Sequence, residues 1–495
     1  MTGRGGRFRL SSPFAVPVLD STAPRLSVLL ACLALAGGTA CDGDDADTST
    51  AAPAEASAEA AADAPVTPGD PGLGTEPSGR RVLRAPGLGA WEFASLSDGP
   101  AAEGPGLVAV PYHFSGEIYT STGTEHEVLG FVRRGISLEV GARAFGAGCE
   151  GGAWYQVKPF GVVCTERGFS VSSAADDRGL WAHDADISGS RPYRYVKADD
   201  GAPRFYRVPT AEEDAAARAA QEGNGAFPEV VAAPMTGVYL LAIAEEAEGE
   251  AGTYLRTIGN RYVRESDTQD KDLVTMRGEL LGDEVSLPLA FVYFEDRALF
   301  EVDDDGVREV GIAQKYARFP FVAMREVGGV SYVEGPDGVV VPAEGVRVVR
   351  RIDRPDRVPR DAKWIHVDLA EQTLVAYEGD TPVLATLVSS GKEGYDTPRG
   401  TFQIGEKYVS ITMNGDDPVE GFYEVEEVPW TMYYWNSFAL HGAYWHDGFG
   451  QVRSHGCTNV PPPDARWLYN WTTPGVPGAW HGVRRRRGTW VHLTR

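Results

Sequence analysis

What most constrains this chain is how seldom an apolar segment runs on. From about residue 106 each one is soon cut by Gly or a turn cluster, as in LVAVPYHF, GEIYTST, VLGFVRRG, ISLEVGARAF and AWYQVKPFGVVC. Short segments of period-2 alternation with turn residues at intervals of about 8 to 12 build small antiparallel barrels or sandwiches. Composition agrees, because 59 Gly, 33 Pro and 10% aromatic residues among 495 suit turn-rich β structure better than helical bundles. That length exceeds what one hydrophobic core organises, so the protein is expected to be multidomain and mainly β. The formal net charge of −24 argues against DNA or RNA as a partner, since phosphate binding relies on clustered Lys and Arg. No run of 18 apolar residues occurs, which argues against a spanning helix.

The N-terminus has a different character. Arg4, Arg7, Arg9 and Arg25 precede an apolar run from Leu26 to Gly38, which is followed by Thr39, Ala40 and Cys41. A basic segment, a short apolar core and small residues describe a secretory signal over residues 1–40. The same small residues before Cys41 resemble a bacterial lipoprotein signal, in which that Cys is lipidated. Cleavage after Ala40 by ordinary signal peptidase is the alternative, and Cys32 after Leu29-Leu30-Ala31 is a competing lipidation site. From Asp42 to Gly79 stand nine Asp or Glu and no Lys or Arg, amid Ala, Pro, Ser and Thr. Such a stretch cannot bury a core, so residues 41–105 are expected to be a disordered acidic tether. Location is then the cell envelope, in the periplasm or on a membrane through a lipid at Cys41.

Residues 106–190 form the first folded region. A Gly before an apolar residue in VLGFVRRG, then Trp154-Tyr155 ahead of VKPFGVVC, resembles a bacterial SH3-like domain. In an oxidising compartment Cys149 and Cys164, close in sequence, are expected to pair as a disulfide and leave Cys457 as a free thiol. Residues 191–345 read as a β-rich middle domain with one helix, announced by the capping box of Thr210 and Glu213. Glu245, Glu246, Glu248 and Glu250 read as a solvated hairpin tip rather than a cation site. No long repeat is legible.

The last region, residues 346–495, carries the chemistry. In WIHVDLAEQTLVAYEGDTPVLATLVSSG two alternating strands meet at Glu378-Gly379-Asp380, and a further strand lies in TFQIGEKY. An apolar strand delivers His441, and sixteen positions later Cys457 follows Ser454, His455 and Gly456. A thiol attacks as a thiolate, and a histidine within reach takes its proton; this pairing is expected to lower the Cys457 pKa below the free value of about 8.5. His455, two residues away, shares a face with Cys457 in extended chain. His441, His446, His455 and Cys457 are zinc-type ligands in kind, but their spacing lacks the tight pairs of zinc sites, so no metal is expected.

These residues also resemble a known family. His441-Gly442, a loop, and then Ser454-His455-Gly456-Cys457-Thr458-Asn459 look like the signature of L,D-transpeptidase catalytic domains of the YkuD type. Asp396-Thr397-Pro398-Arg399-Gly400-Thr401-Phe402 resembles their upstream TPxGxF element. The resemblance implies a β-sandwich catalytic domain of the bacterial envelope that works without metal or cofactor, with peptidoglycan stem peptides as donor and acceptor. It implies Cys457 as nucleophile, His441 as general base and the Gly442 carbonyl orienting that imidazole. Ser454, His455 and Gly456 would shape the site, with the N–H groups of Gly456 and Cys457 as oxyanion donors. Asn459, Tyr433, Trp435 and Tyr444 would bind substrate. An L,D-carboxypeptidase or hydrolase on the same scaffold, or a wall-binding protein without activity, are the alternatives.

Overall fold

The computed structural model describes residues 106–173, 185–304, 306–419 and 421–495, together with the backbone of two short strands, Leu73–Thr75 and Arg81–Leu83. The expected signal segment and Cys41 lie outside the described residues, as does most of the tether. The two short strands fall within that tether segment, where they pair with each other and extend a sheet of the third β unit through Gly306–Ala313.

Short strands cut by turns give the same solution three times. In the first unit Val108–Pro111 pairs with Leu138–Ala144 and Phe169–Ser172, while Ser115–Tyr119 pairs with Val128–Arg133 and Val162–Cys164. Trp154–Val157 joins Leu138–Ala144 to Val162–Cys164. The strand order is thus 3-2-6-5-4-1-7, and a single 3-10 turn, Thr165–Arg167, links the last two strands. Every one of these pairings recurs between Arg194–Ala198 and Thr268–Asp270, with the turn Glu265–Asp267 in the same place. They recur again from Leu289–Val292 to Val346–Val349, where the fourth strand is broken into Arg318–Pro320 and Ala323–Val327 and the turn is Ala343–Gly345.

The segment read as one middle domain is therefore two units of the first unit's topology. Its final strand, Val346–Val349, lies beyond the boundary drawn at residue 345. The repeat is one of pairing and not of sequence, because a pleated strand asks only for alternation and many residues satisfy it. Cys149 and Cys164 are joined by a disulfide in the first unit. In the second, Thr210 and Glu213 form the capping box of helix Ala211–Gln221. The acidic hairpin beside that helix is dispersed into contacts: Glu245 with Arg256 at 2.7 Å, Glu246 with Arg194 at 2.6 Å, and Glu250 accepting from Ala211 N–H at the helix start at 3.1 Å.

The C-terminal region packs two sheets around a shared core. One sheet holds Lys363–Asp368, Thr373–Glu378, Thr381–Leu387, Gly400–Gln403 and Trp490–Thr494. The expected turn at Glu378-Gly379-Asp380 joins its second and third strands. TFQIGEKY proves to be two strands, because Gly405 lies between Gly400–Gln403 and Glu406–Asp417. The other sheet is a long hairpin, Glu406–Asp417 and Gly421–Trp435, continued by Phe438–Gly442 and Thr458–Val460. Helix Pro462–Trp471 follows and buries Ala465, Leu468 and Tyr469.

The β units dock onto this region through backbone pairing. Gly482–Arg484 pairs with Val128–Arg133, where Gly130 leaves room for Trp480: a Cβ there would stand 2.3 Å from the indole. Val238, Tyr239 and Leu240 run parallel to Tyr423, Glu424 and Val425, and Glu279–Leu280, in the connection between the second and third units, pairs with Leu384 and Ala385. The largest core cluster joins Ala109, Ile118, Val132 and Phe169 of the first unit to Ile365, Leu440 and Leu468.

Candidate active site

Ser454 to Cys457 make a tight turn that leads into the strand Thr458–Val460. The turn is held from within, since Ser454 Oγ donates to the Cys457 carbonyl and accepts from Gly456 N–H at 3.1 Å. Gly456 has φ of +114°, a conformation that disfavours L side chains, and a Cβ would stand 2.7 Å from the Phe438 ring. From outside, the Thr397 hydroxyl donates to the Gly456 carbonyl at 2.8 Å and accepts from Gly391 N–H at 2.9 Å. The Asp396 to Phe402 element singled out in the sequence thus supports the turn that carries Cys457 through its Thr. One expectation fails here: Gly456 N–H is engaged by Ser454 and is not an open oxyanion donor.

The strand Phe438–Gly442 runs parallel to Thr458–Val460, with Leu440 opposite Thr458, His441 opposite Asn459 and Gly442 opposite Val460. One step back, Cys457 is level with Ala439. Cys457 immediately precedes Thr458 and its thiol meets the Ala439 backbone, so it stands at the head of the strand that runs beside His441. His441 Nδ1 lies 3.3 Å from the Gly442 carbonyl. A carbonyl only accepts, so Nδ1 carries the proton and Nε2 keeps its lone pair. The ring is buried and stacks on Trp445 with centroids 5.6 Å apart.

Cys457 is half-buried, and its thiol donates weakly to the Ser437 carbonyl at 3.5 Å. Burial pushes the thiol up to about 11 and, acting on a base, pushes His441 down to about 4. The resting pair is therefore a neutral thiol beside a neutral imidazole. This corrects the expectation of a thiol lowered below its free value, because desolvation outweighs any stabilisation of a thiolate.

Other residues expected at the site are sorted by burial. Trp435 is exposed and stacks on Phe438 (5.6 Å, 15°) and Phe402 (5.5 Å, 30°), making an open aromatic shelf beside the turn. Tyr433 is half-buried and near enough to Cys457 that a thiolate there would raise its phenol, after the larger effect of burial. Tyr444 lines no groove: it is buried, stacked on Tyr195 at 3.7 Å, and donates to the Glu426 carbonyl at 3.2 Å. Asn459 is also buried, with its amide 2.9 Å from His446 Nε2, so it braces the loop between His441 and Cys457. Among the described residues no three His, Cys, Asp or Glu side chains converge on a metal-sized site.

Sequence reasoning missed the surroundings of His455. Its Nε2 lies 2.8 Å from Asp417 Oδ2, and its ring stacks on Tyr423 (4.6 Å, 18°) and meets Tyr395 edge-on (4.7 Å, 84°). Lys392 Nζ reaches the same Asp417 oxygen at 2.8 Å. Asp417 sits in a turn-rich GDDPVEG run, where nothing distinguishes it from Asp416.

Comparison with known proteins bears on this constellation. Residues 362–491 match the YkuD family, L,D-transpeptidase catalytic domain. The chain is 30% identical over 129 residues to a Bacillus subtilis (strain 168) protein named "Putative L,D-transpeptidase YciB", an alignment covering 21% of this chain and 59% of that protein. A mutant Enterococcus faecium L,D-transpeptidase of known structure is 26% identical, with 27% of this chain and 50% of that one covered and a TM-score of 0.23. L,D-transpeptidase 3 from Mycobacterium tuberculosis is 19% identical, with 33% and 77% covered and a TM-score of 0.23. The chain thus spans about three-fifths of the first relative's length and half of the second's.

Proposed function

We propose that the L,D-transpeptidase catalytic domain ending this chain is an active, exported peptidoglycan cross-linking enzyme. The observation that carries this reading is the parallel pairing of the His441 strand with the strand that Cys457 leads into, where the Cys457 thiol meets the Ala439 backbone and the Gly442 carbonyl fixes the imidazole tautomer. Cys457 Sγ attacks the carbonyl after the L-centre of the third residue of a stem tetrapeptide while its proton passes to His441 Nε2. The Cys457 N–H faces the developing oxyanion. The C–N bond then breaks, His441 returns the proton to the departing D-residue, and a thioester remains on Cys457. An amine from a neighbouring stem attacks that thioester, gives its proton to His441, and leaves the thiol restored and a cross-link formed.

The acyl chain of the donor lies along the shelf of Trp435, with Tyr433 beside it. The three β units are SH3-like modules, a reading supported by their strand order and the 3-10 turn before the seventh strand. The disulfide and the N-terminal signal pattern support a place outside the cytoplasm, with Cys41 as the lipid attachment point. The test is mass spectrometry of purified muropeptides incubated with the full chain. Cross-linked dimers support transpeptidation. Tripeptides alone would mean that water is the acceptor, and unchanged muropeptides would leave a wall-binding scaffold.

A further inference from the structure

Asp417 ends the first strand of the long hairpin, and its carboxylate is almost fully removed from solvent, with 1% of the side chain exposed. Donors from several elements reach it. Val419 N–H gives to Oδ1 at 2.8 Å, and Lys392 Nζ and His455 Nε2 both reach Oδ2 at 2.8 Å. Its partners come from three separate segments, namely the hairpin tip, the Ser389 to Thr397 support and the nucleophile turn. A buried carboxylate with this donor set is costly to form and rigid once formed. His455 is thereby clamped from two directions, by Asp417 at Nε2 and by Tyr423 and Tyr395 on its ring.

We propose that Asp417 is a positioning residue, which holds His455 and so ties the tip of the hairpin to the nucleophile turn as one wall of the donor site. The proposal rests on the reading of the site as an acyl-transfer centre. Asp417 acts through His455, two residues before Cys457. Loss of the carboxylate frees the imidazole and lets the hairpin tip and the turn shift apart, which for reacting atoms displaced by about 1 Å costs on the order of a hundredfold in turnover.

A double-mutant cycle on the full chain tests this, using release of the terminal D-residue from a stem tetrapeptide as the readout. Asp417→Asn, close to isosteric, is expected to lower kcat by about 10- to 100-fold with KM near wild type. Alkylation of Cys457 by iodoacetamide should stay within about twofold of wild type, since thiol and base are untouched. In the His455→Ala background the same change should cost less than about twofold more, because the group it acts through is gone. Losses that multiply, full activity in Asp417→Asn, or alkylation that falls in step with turnover would each overturn the proposal. A second readout needs no turnover: the Nε2 proton of His455, followed by 15N-resolved NMR, should exchange with solvent at least about tenfold faster in Asp417→Ala. Equal exchange also overturns it. A wild-type chain that releases no D-residue counts against the functional reading alone, and the exchange measurement still decides the role of Asp417.

Discussion

Cys457 is half-buried and His441 buried, and desolvation moves their proton affinities in opposite directions, to about 11 and about 4. On the proposed mechanism such a pair would exchange its proton during attack and not before it. Catalysis needs His441 unprotonated, so kcat/KM should stay level from pH 7 down to about 5 and fall only near pH 4, where an unperturbed histidine would already cut the rate near 6.5. Iodoacetamide alkylation should still be climbing above pH 9, and His441→Ala should abolish turnover without moving that alkylation profile upward. An alkylation plateau near pH 8, lost in His441→Ala, would restore the thiolate–imidazolium pair. Gly456 gives a second test at this scale. Gly456→Ala forces a Cβ onto a residue with φ of +114° and against Phe438, at a cost of about 1–3 kcal/mol in strain. A lowered melting temperature together with lost D-residue release is expected; a variant that melts and turns over like wild type would show that the turn tolerates a side chain.

The hairpin strand Gly421–Trp435 carries much of what the sequence could not disclose. Alternation and turn residues made its neighbours legible, and the SHGC turn with its His-Gly partner pointed to the family that residues 362–491 match, because those signals lie close together along the chain. Glu427 emits no such signal. It is buried 294 positions from Arg133, whose Nη2 reaches both of its carboxylate oxygens at 2.8 and 2.6 Å, and its own backbone carbonyl takes the Tyr195 hydroxyl at 2.7 Å. Two β units thus meet the catalytic hairpin at one residue. Tyr444 and Asn459 were misplaced for the same reason: a groove aromatic and a buried one read alike until the partner surface is known. Arg133→Met leaves the Glu427 carboxylate buried with Ser410 as its remaining side-chain donor, and about 3–5 kcal/mol of stability should be lost. The double variant Arg133→Met with Glu427→Met should regain much of it, since neither charge is then stranded. Denaturant titration of the three variants decides this, and strictly additive losses would mean that the pair is not coupled.

At the scale of the whole molecule the three β units act as walls of the catalytic region rather than beads strung before it. The third unit grips the loop between His441 and Cys457: Lys315 Nζ donates to the Asp447 carbonyl at 2.7 Å, Tyr316 Oη to the same oxygen at 2.9 Å, and Arg347 Nε to Gly450 O at 2.9 Å. That loop contains His446, which the Asn459 amide meets beside the nucleophile strand. The second unit extends the hairpin sheet at Tyr423, the residue on which His455 stacks. The first supplies a strand to Gly482–Arg484 and part of the main core. Removing all that precedes residue 350 would bare three strand edges, at Gly482–Arg484, Tyr423 to Val425 and Leu384 to Ala385, and a wide apolar face, surfaces that soluble chains seldom leave open. A chain reduced to residues 350–495 should therefore melt at least about 10 °C below the full protein, or aggregate, and should release no D-residue. Residues 65–495 keep every described contact and should melt and turn over as the full chain does. Differential scanning calorimetry and the tetrapeptide assay on both truncations distinguish the cases. If residues 350–495 alone match the full protein in both, the units are separate modules joined by contacts that contribute nothing to the site.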